Sequence, residues 1–267
     1  MMAVHVQGIG LLGPGFHNWE EASAQLRGDA PARTDKTVVP APQSLPPAER
    51  RRAGVAVKAA LAVGQQALAA AGVSPVDLAT VFTSSGGDGV NCHEICATLA
   101  SNDRAISPTR FHNSVHNAPS GYWSISSASM APSSVLCAHD GSFAAGLLEA
   151  MAQVASDQRP VLLLAYDSEY PEPLRGVRPI PDTLGVALLL APDAGARSLA
   201  LLTLDSGDAF TQDPPDRLQD AWLEQVRREI PAARCLPLLE ALARGHDRSV
   251  VLDYLGDMRL RIKVQRC

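Results

Sequence analysis

Apolar and polar positions along the chain follow two periods in turn, which indicates strands alternating with helices. Leu78–Thr83 and Val161–Tyr166 are short apolar runs that predict strands. The second run is almost wholly apolar, so it predicts a strand buried on both faces. Glu49–Ala71 is rich in alanine, carries an apolar stripe at helical spacing and ends before Gly72, which predicts one long helix. The alternation predicts an α/β fold built in layers.

The remaining apolar segments continue this pattern. The first predicted strand, Ala3–Gln7, is followed by a predicted turn at Gly8-Ile9-Gly10. Val250–Leu255 and Arg259–Val264 predict a hairpin. The other predicted strands are Ser133–Ala138, Val186–Leu190 and Leu199–Leu204. One further helix is predicted to begin near Asn18. The remaining predicted helices are Val90–Leu99, Ala118–Ala128, Ser142–Ala155, Arg217–Glu229 and Leu236–Ala243.

Length and charge narrow the class of protein. A chain of 267 residues can bury a sizeable core. The net charge of −5, with one basic run at Arg50-Arg51-Arg52, argues against nucleic-acid binding, and we interpret that run as the solvated start of a helix. No apolar run approaches the roughly 20 residues that span a bilayer, and the N-terminus does not resemble a signal peptide. Five scattered cysteines predict reduced thiols and a cytoplasmic protein.

Two motifs resemble cofactor or metal sites, but their context does not fit. Gly8, Gly10 and Gly13 match a dinucleotide fingerprint, yet the next helix begins too late to bind a pyrophosphate. Cys92 and Cys96 lie one helical turn apart, but zinc needs two further ligands and none is close in sequence. We therefore predict no cofactor and no metal, and we interpret the cysteine pair as buried small side chains.

The segment His139-Asp140 falls where a predicted strand turns sharply into a predicted helix. Enzymes of α/β type often carry a nucleophile at such a turn, because it exposes the side chain beside a helix N-terminus. Here the turn carries Asp140, and Cys137 lies three residues earlier. An aspartate at this place can also cap the following helix through its carboxylate, which is the simpler interpretation of Asp140.

A loop rich in polar and aromatic side chains precedes the helix predicted at Ala118. Loops of this kind commonly line binding sites, but the polar groups can equally satisfy one another, and the residues alone leave both interpretations open. The loop contains Phe111, His112, Asn113, His116 and Asn117.

Several segments in the same order resemble the N-terminal half of the β-ketoacyl synthases, from about Val4 to Glu169. They are Val6–Pro14, Ala53–Val73 with Leu78–Gly87, Asn113–Gly121, Pro132–Ala150, which aligns with the stretch that carries the nucleophile, and Val161–Tyr166. The resemblance implies a thiolase-like half, with a three-layer α/β/α arrangement around a mostly parallel sheet. It implies a synthase N-terminal-like domain over 1–192 and a short C-terminal cap over 193–267 that completes the same domain.

The departures from the family pattern argue against catalysis. In the alignment Asp140 takes the place of the nucleophilic cysteine, while Cys137 falls three positions early. A carboxylate is a poor acyl acceptor from a thioester, because an anhydride lies uphill. The family also uses two histidines in its C-terminal half, and His246 is the one histidine after the turn. The resemblance therefore implies a degenerate synthase without activity of its own.

Cysteine-less relatives of this family include chain-length factors, which pair with an active ketosynthase and shape its acyl tunnel. The sequence of Ser114–Gly121 resembles the corresponding segment of the chain-length-factor-like proteins of aryl polyene (xanthomonadin-type) pigment synthesis. The implied partners are a full-length β-ketoacyl-ACP synthase in a heterodimer and, transiently, an acyl carrier protein, with a weaker homodimer when the chain is made alone. The implied tunnel or interface residues are Phe111, His112, Asn113, His116, Asn117, Tyr122 and Val135.

Two alternatives stay open at this point. Cys137 can serve as the nucleophile of an acyltransferase or hydrolase, with His139 or His116 as its base. The chain can also be an acyl-binding or regulatory module that works without a synthase partner.

Overall fold

The apolar strands of the chain lie side by side in one sheet in the computed structural model, which describes residues 1–205 and 207–267. Among these residues nine strands form a mixed sheet with the order β3-β2-β4-β5-β1-β6-β9, extended by β7 and β8, which both pair with β9. The strands are β1 (Met2–Leu12), β2 (Ala79–Thr83), β3 (Ser133–Leu136), β4 (Val161–Asp167), β5 (Leu184–Ala191), β6 (Ala200–Leu204), β7 (Phe210–Thr211), β8 (Arg248–Asp253) and β9 (Arg259–Arg266).

Helices cover both faces of this sheet. They are α1 (Trp19–Arg27), α2 (Pro47–Arg52), α3 (Val55–Ala71), α4 (Gly89–Ala100), α5 (Pro108–His112), α6 (Ala118–Ser127), α7 (Ser142–Asp157), α8 (Leu174–Val177), α9 (Ala221–Glu229) and α10 (Leu236–Arg244). None of the helices in the described parts of the chain is both long enough and apolar enough to cross a membrane.

The core lies in two layers, one on each face of the sheet. Leu162 and Leu164 of β4 pack on the side of α3 and α6, whereas Leu163 and Ala165 pack on the side of α7 and the C-terminal helices. Every position of β4 is buried, as its apolar sequence predicts. The predicted α/β fold, with a sheet between two helical layers, is confirmed.

The direction of the strands corrects the prediction of a mostly parallel sheet. Only the pairs that β2 forms with β3 and β4 are parallel, and the other described pairs are antiparallel. Parallel strands need a long crossover, and α7 supplies the one from β3 to β4, the two strands that lie on either side of β2. Between β4 and β5 the chain has only the four-residue helix α8, and β5 returns antiparallel.

Two predicted boundaries are wrong because a glycine allows a close approach. The predicted turn at Gly8-Ile9-Gly10 is part of β1, and a Cβ at Gly8 or Gly10 would overlap a carbonyl oxygen of α3. The helix predicted over Glu49–Ala71 is divided into α2 and α3 at Ala53, which is extended, with φ −63° and ψ 124°. A Cβ at the following Gly54 would overlap the Asp88 carboxylate.

The predicted C-terminal hairpin is confirmed as β8 and β9 at an edge of the sheet. Because β9 also pairs with β6, residues beyond 192 extend the same sheet. The outer edge of β8 is covered by Asp216, whose backbone N–H donates to the Val251 carbonyl over 2.9 Å and whose carboxylate accepts from the Val251 N–H over 3.0 Å. This cover leaves fewer unpaired backbone groups on the edge.

Candidate functional site

Asp140 lies in a tight turn, His139–Gly141, that joins β3 to α7. The turn is fixed by Ser142, whose Oγ accepts from the Ala138 N–H over 3.0 Å and donates to the His139 carbonyl over 2.7 Å. His139 has a φ of +50°, in the left-handed region that non-glycine residues rarely adopt. The sequence thus builds a sharp strand-to-helix turn that holds the Asp140 side chain at the surface.

The Asp140 carboxylate binds two arginines. Its Oδ1 accepts from Arg178 Nη2 over 2.7 Å, and its Oδ2 lies 3.3 Å from Arg234 Nη2. No side chain caps α7, so the predicted capping role of Asp140 is wrong. Charge-assisted hydrogen bonds to guanidinium groups are stronger than a bond to a neutral N–H, which accounts for the difference.

Arg234 connects this turn to a buried charge network in the C-terminal part of the chain. Its Nη1 donates to Asp253 Oδ2 over 2.8 Å, and Arg227 Nη1 donates to the same oxygen over 3.1 Å. The Arg227 side chain is only 6 % exposed and binds both oxygens of Glu224 at 2.7 Å. The hydrogen bond from Arg227 holds the pKa of Glu224 below its ordinary value, although partial burial opposes this. The network fixes the C-terminal segment against the turn.

A second carboxylate, Asp167 at the end of β4, is buried beside the same segment. Its Oδ1 accepts from the Ser85 N–H at 2.9 Å, the Ser85 hydroxyl at 2.6 Å and the Ser84 hydroxyl at 3.2 Å. Its Oδ2 accepts from the Ala232 N–H at 2.8 Å. Burial raises the pKa of Asp167 to about 6, even though these hydrogen bonds favour the charged form.

Cys137 is exposed, and its Sγ lies 3.2 Å from the Ser85 carbonyl oxygen. His139 faces other groups: its Nε2 lies 2.8 Å from Arg178 Nη1 and its Nδ1 lies 3.6 Å from Asp140. Within residues 1–205 and 207–267, Cys137 forms no hydrogen bond with His139 or His116. The nucleophile–base pair that a cysteine acyltransferase needs is therefore not assembled in this part of the chain.

The loop around Asn113 is held by buried hydrogen bonds. The Tyr122 hydroxyl, on a side chain that is almost fully buried, donates to Asn113 Oδ1 over 3.1 Å. Asn113 Nδ2 donates to the Arg52 carbonyl over 2.8 Å and so ties the loop to α2. His112 and Asn117 are exposed, and the half-buried His116 lies close to Gly87 in the loop after β2. These hydrogen bonds link the end of α5 to both α6 and α2.

An apolar groove of about 530 Å³ runs between α5 and α6. Phe111 is 68 % exposed and Ile125 is 50 % exposed, which is unusual for large apolar side chains. The lining also includes Pro108, Val115, Gly121 and Tyr122.

The edge of the sheet at β3 is open. Among the described strands, β3 pairs only with β2, so one row of its backbone groups has no strand partner. Val135 of β3 is half-buried and packs against the core on the side of α3 and α6. Met130, three residues before β3, is 96 % exposed. An open edge without charged side chains, as in β3, is a typical site for association with another chain.

Sequence reasoning missed Arg178, Arg234 and Asp253. Arg178 lies 38 positions and Arg234 lies 94 positions from Asp140, so no local motif indicates the contact. A search for the partner of a carboxylate at a strand-to-helix turn could have considered the arginines, but nothing in the sequence distinguishes these two from the others.

Comparisons with known proteins give the family. The model of the β-ketoacyl synthase N-terminal domain matches residues 17–249. A search of curated proteins found no match.

Solved structures with the same fold include synthase complexes. The ketosynthase (ApeO) in complex with its chain length factor (ApeC) from Xenorhabdus doucetiae is similar at a TM-score of 0.73 and 24 % identity, with 98 % of this chain and 100 % of that chain covered. The ishigamide ketosynthase/chain length factor gives a TM-score of 0.71 and 14 % identity, covering 100 % of this chain and 99 % of that chain. A β-ketoacyl synthase from Burkholderia phymatum gives a TM-score of 0.70 and 13 % identity, covering 100 % of this chain and 100 % of that chain. These likenesses show the thiolase-like fold, and because the family model matches most of the sequence, the chain belongs to the β-ketoacyl synthase N-terminal-domain family.

Proposed function

We propose that the chain is a non-catalytic, chain-length-factor-like subunit that pairs with an active β-ketoacyl-ACP synthase and shapes its acyl tunnel. The observation that carries this proposal is the state of Asp140, which stands where the family resemblance implies a nucleophile and is bound by Arg178 and Arg234. The fold of the synthase family is thus combined with a turn whose carboxylate is a poor acyl acceptor.

The chemistry of the turn supports this role. A carboxylate that attacks a thioester forms an anhydride, which is less stable than the thioester it replaces. Arg178 and Arg234 also occupy both oxygens of Asp140, which lowers its nucleophilicity. Cys137 lacks a histidine partner in the described part of the chain, so the geometry favours the non-catalytic role over an acyltransferase.

The exposed apolar surface supports a partner chain. The groove between α5 and α6 and the open edge of β3 leave Phe111, Ile125 and Met130 largely exposed. Burial of apolar surface is worth about 25 cal/mol per Å² before the costs of association, so covering these side chains favours a complex. We expect an interface above about 2,000 Å², the size typical of obligate pairs. The names of two structurally similar assemblies describe a ketosynthase together with a chain length factor.

Co-expression tests the pairing. A full-length ketosynthase from the same gene neighbourhood should co-purify with the wild-type chain, whereas Phe111→Asp and Val135→Glu should lose the partner. Val177→Asp is the matched control, because Val177 is 89 % exposed but lies outside the groove and β3. Circular dichroism must show that each variant is folded. Retention of the partner by both groove and edge variants would contradict the proposal and favour a module that works alone.

A basic cleft of about 460 Å³ is our proposed contact for the carrier protein. Four basic side chains and one acidic side chain line it, whereas the whole chain has a net charge of −5; they are Arg51, Arg52, Lys58, Arg110 and Asp88. Concentrated positive charge in an acidic protein attracts an anionic partner and speeds its association. Arg51→Glu with Lys58→Glu should weaken carrier-protein binding to the pair, while Arg159→Glu, on an exposed residue before β4, should not.

The product class that we propose is an aryl polyene. Its support is the resemblance of Ser114–Gly121 to the corresponding segment in chain-length-factor-like proteins of pigment synthesis. Pigment extracted from a host that carries the chain, its synthase and the carrier protein should absorb visible light like a conjugated polyene. A saturated or aromatic polycyclic product would contradict this assignment but not the pairing.

A further inference from the structure

Helix α4 carries two cysteines, Cys92 and Cys96, on one face and one turn apart. The sequence predicts that they are buried, but both are exposed. The two side chains are close enough to interact: partial burial, followed by the charge and hydrogen bond of Cys96, raises the pKa of the Cys92 thiol. Because both cysteines are exposed, the pair is accessible from solution.

The helix that holds this pair is weakly packed. Only Gly89 and Asn91 of α4 are buried, both in its first turn. Val90 is 39 % exposed and Leu99 is 48 % exposed, although both are apolar. A helix with so few buried side chains distorts at low cost, because little apolar contact is lost when it moves.

The spacing of the pair is close to that of a disulfide. Residues four apart in an α-helix have Cα atoms about 6 Å apart, which falls within the range of about 4.4–6.8 Å seen in disulfides. Their Cβ atoms are about 5–6 Å apart, whereas a disulfide needs about 3.5–4.5 Å. Closing the bridge between Cys92 and Cys96 therefore requires a shift of about 1–2 Å, which a weakly packed helix allows.

We propose that Cys92 and Cys96 form a redox-sensitive dithiol that exchanges with low-molecular-weight disulfides and closes to an intrahelical bridge. In the first step one thiolate attacks a sulfur of the small disulfide, the S–S bond breaks and one small thiolate leaves. In the second step the other cysteine attacks the mixed disulfide and releases the second small thiol. The protein loses two hydrogen atoms, and the small disulfide is reduced to two thiols. The bridge distorts α4 and changes the surface that it exposes.

Mass spectrometry of one tryptic peptide tests the site. Cleavage after Lys58 and Arg104 gives residues 59–104, which contain Cys92 and Cys96 and no other cysteine. After treatment with glutathione disulfide and alkylation, the wild-type peptide should take up no alkyl group and carry no glutathione. Cys96→Ser should retain one glutathione, and Cys137→Ser should behave as the wild type does. The reaction should accelerate as the pH rises towards the raised pKa of Cys92.

A wild-type peptide that carries two glutathiones, or that takes up two alkyl groups after prolonged oxidation, would overturn the proposal. Far-UV circular dichroism gives a second readout, because the bridged wild type should lose helical signal and recover it with dithiothreitol. The Cys92→Ser, Cys96→Ser double variant should show no change. If the bridge forms and the helical signal does not change, the proposal that the bridge distorts α4 is wrong.

Discussion

Asp140 and Arg234 lie 94 positions apart in the sequence, yet Asp140 Oδ2 is 3.3 Å from Arg234 Nη2. Arg178 binds the other carboxylate oxygen over 2.7 Å. The turn after β3 is therefore held between a loop that follows β4 and the C-terminal segment. A catalytic nucleophile has to be free to receive an acyl group, whereas this side chain is engaged on both oxygens.

Replacing Asp140 by alanine should lower the free energy of unfolding by about 1 kcal/mol. The value is small because the Asp140 side chain is 38 % exposed and its ion pairs are screened by solvent. Urea unfolding followed by circular dichroism measures the change. Asp103→Ala, on an exposed aspartate, is the control, and an equal effect of both substitutions would contradict the bridging role of Asp140.

Asp253→Asn should destabilise the protein more strongly, by about 3 kcal/mol. Asp253 is 13 % exposed and accepts hydrogen bonds from Arg227 and Arg234, so its loss leaves positive charge poorly compensated in a partly buried network. Asp213→Asn offers a matched comparison, because Asp213 also pairs with an arginine, Arg261, but is 61 % exposed. This substitution should lower the free energy of unfolding by less than about 1 kcal/mol. Equal urea midpoints for the two variants would exclude a stabilising role for the network.

Stability should carry a pH dependence that comes from Asp167. Its pKa is about 6 in the folded chain and near the ordinary 3.8 in the unfolded chain, so the folded state binds more protons between these values. The contribution of Asp167 is therefore lost as the pH rises from about 4 through 6, by about 3 kcal/mol in total.

The comparison of wild type with Asp167→Asn isolates this contribution from the other carboxylates. The wild type should lose stability relative to the variant between pH 4 and pH 7, as measured by urea unfolding at each pH. A difference between the two proteins that does not vary with pH would show that Asp167 has an ordinary pKa.

Tyr122→Phe should lower the free energy of unfolding by about 1 kcal/mol without loss of the partner chain. The substitution removes the buried hydrogen bond from the Tyr122 hydroxyl to Asn113 Oδ1 but keeps the ring in place. Phe111→Ala should have the opposite effect, with little change in the free energy of unfolding but weaker co-purification of the partner chain. The reason is that Phe111 is 68 % exposed and contributes little to the core. Equal effects of the two substitutions on pairing would show that the loop acts as one unit.

Much of the fold follows from local sequence pattern. The apolar run Val161–Tyr166 corresponds to β4, and the segment predicted as a helix over Leu236–Ala243 corresponds to α10, each within one residue at either end. The first segment is apolar at nearly every position and the second carries apolar residues at helical spacing, so burial decides the structure of both. The two-residue strand β7 has no such period and was not predicted.

The arrangement of the site was harder to predict. The turn that carries Asp140 follows from the change of period between Val135 and Phe143. The arginines that bind it come from distant segments, and only the folded chain brings them together. The same holds for Tyr122, which the family resemblance places at a tunnel or interface but whose hydroxyl donates to Asn113 inside the protein. Long-range partners of polar groups depend on tertiary packing and leave no local pattern.

Condensation between an acyl carrier protein and a malonyl carrier protein distinguishes a non-catalytic subunit from an active synthase. The purified chain alone, as wild type and as Asp140→Cys, should form no product, because the family uses two histidines in its C-terminal half and His246 is the one histidine after the turn. The same chain with the active ketosynthase that we propose as its partner should form a long product, and replacing the nucleophilic cysteine of the ketosynthase by serine should abolish it. Product formation by the wild-type chain alone, or full activity of the ketosynthase after complete separation from this chain, would contradict the account.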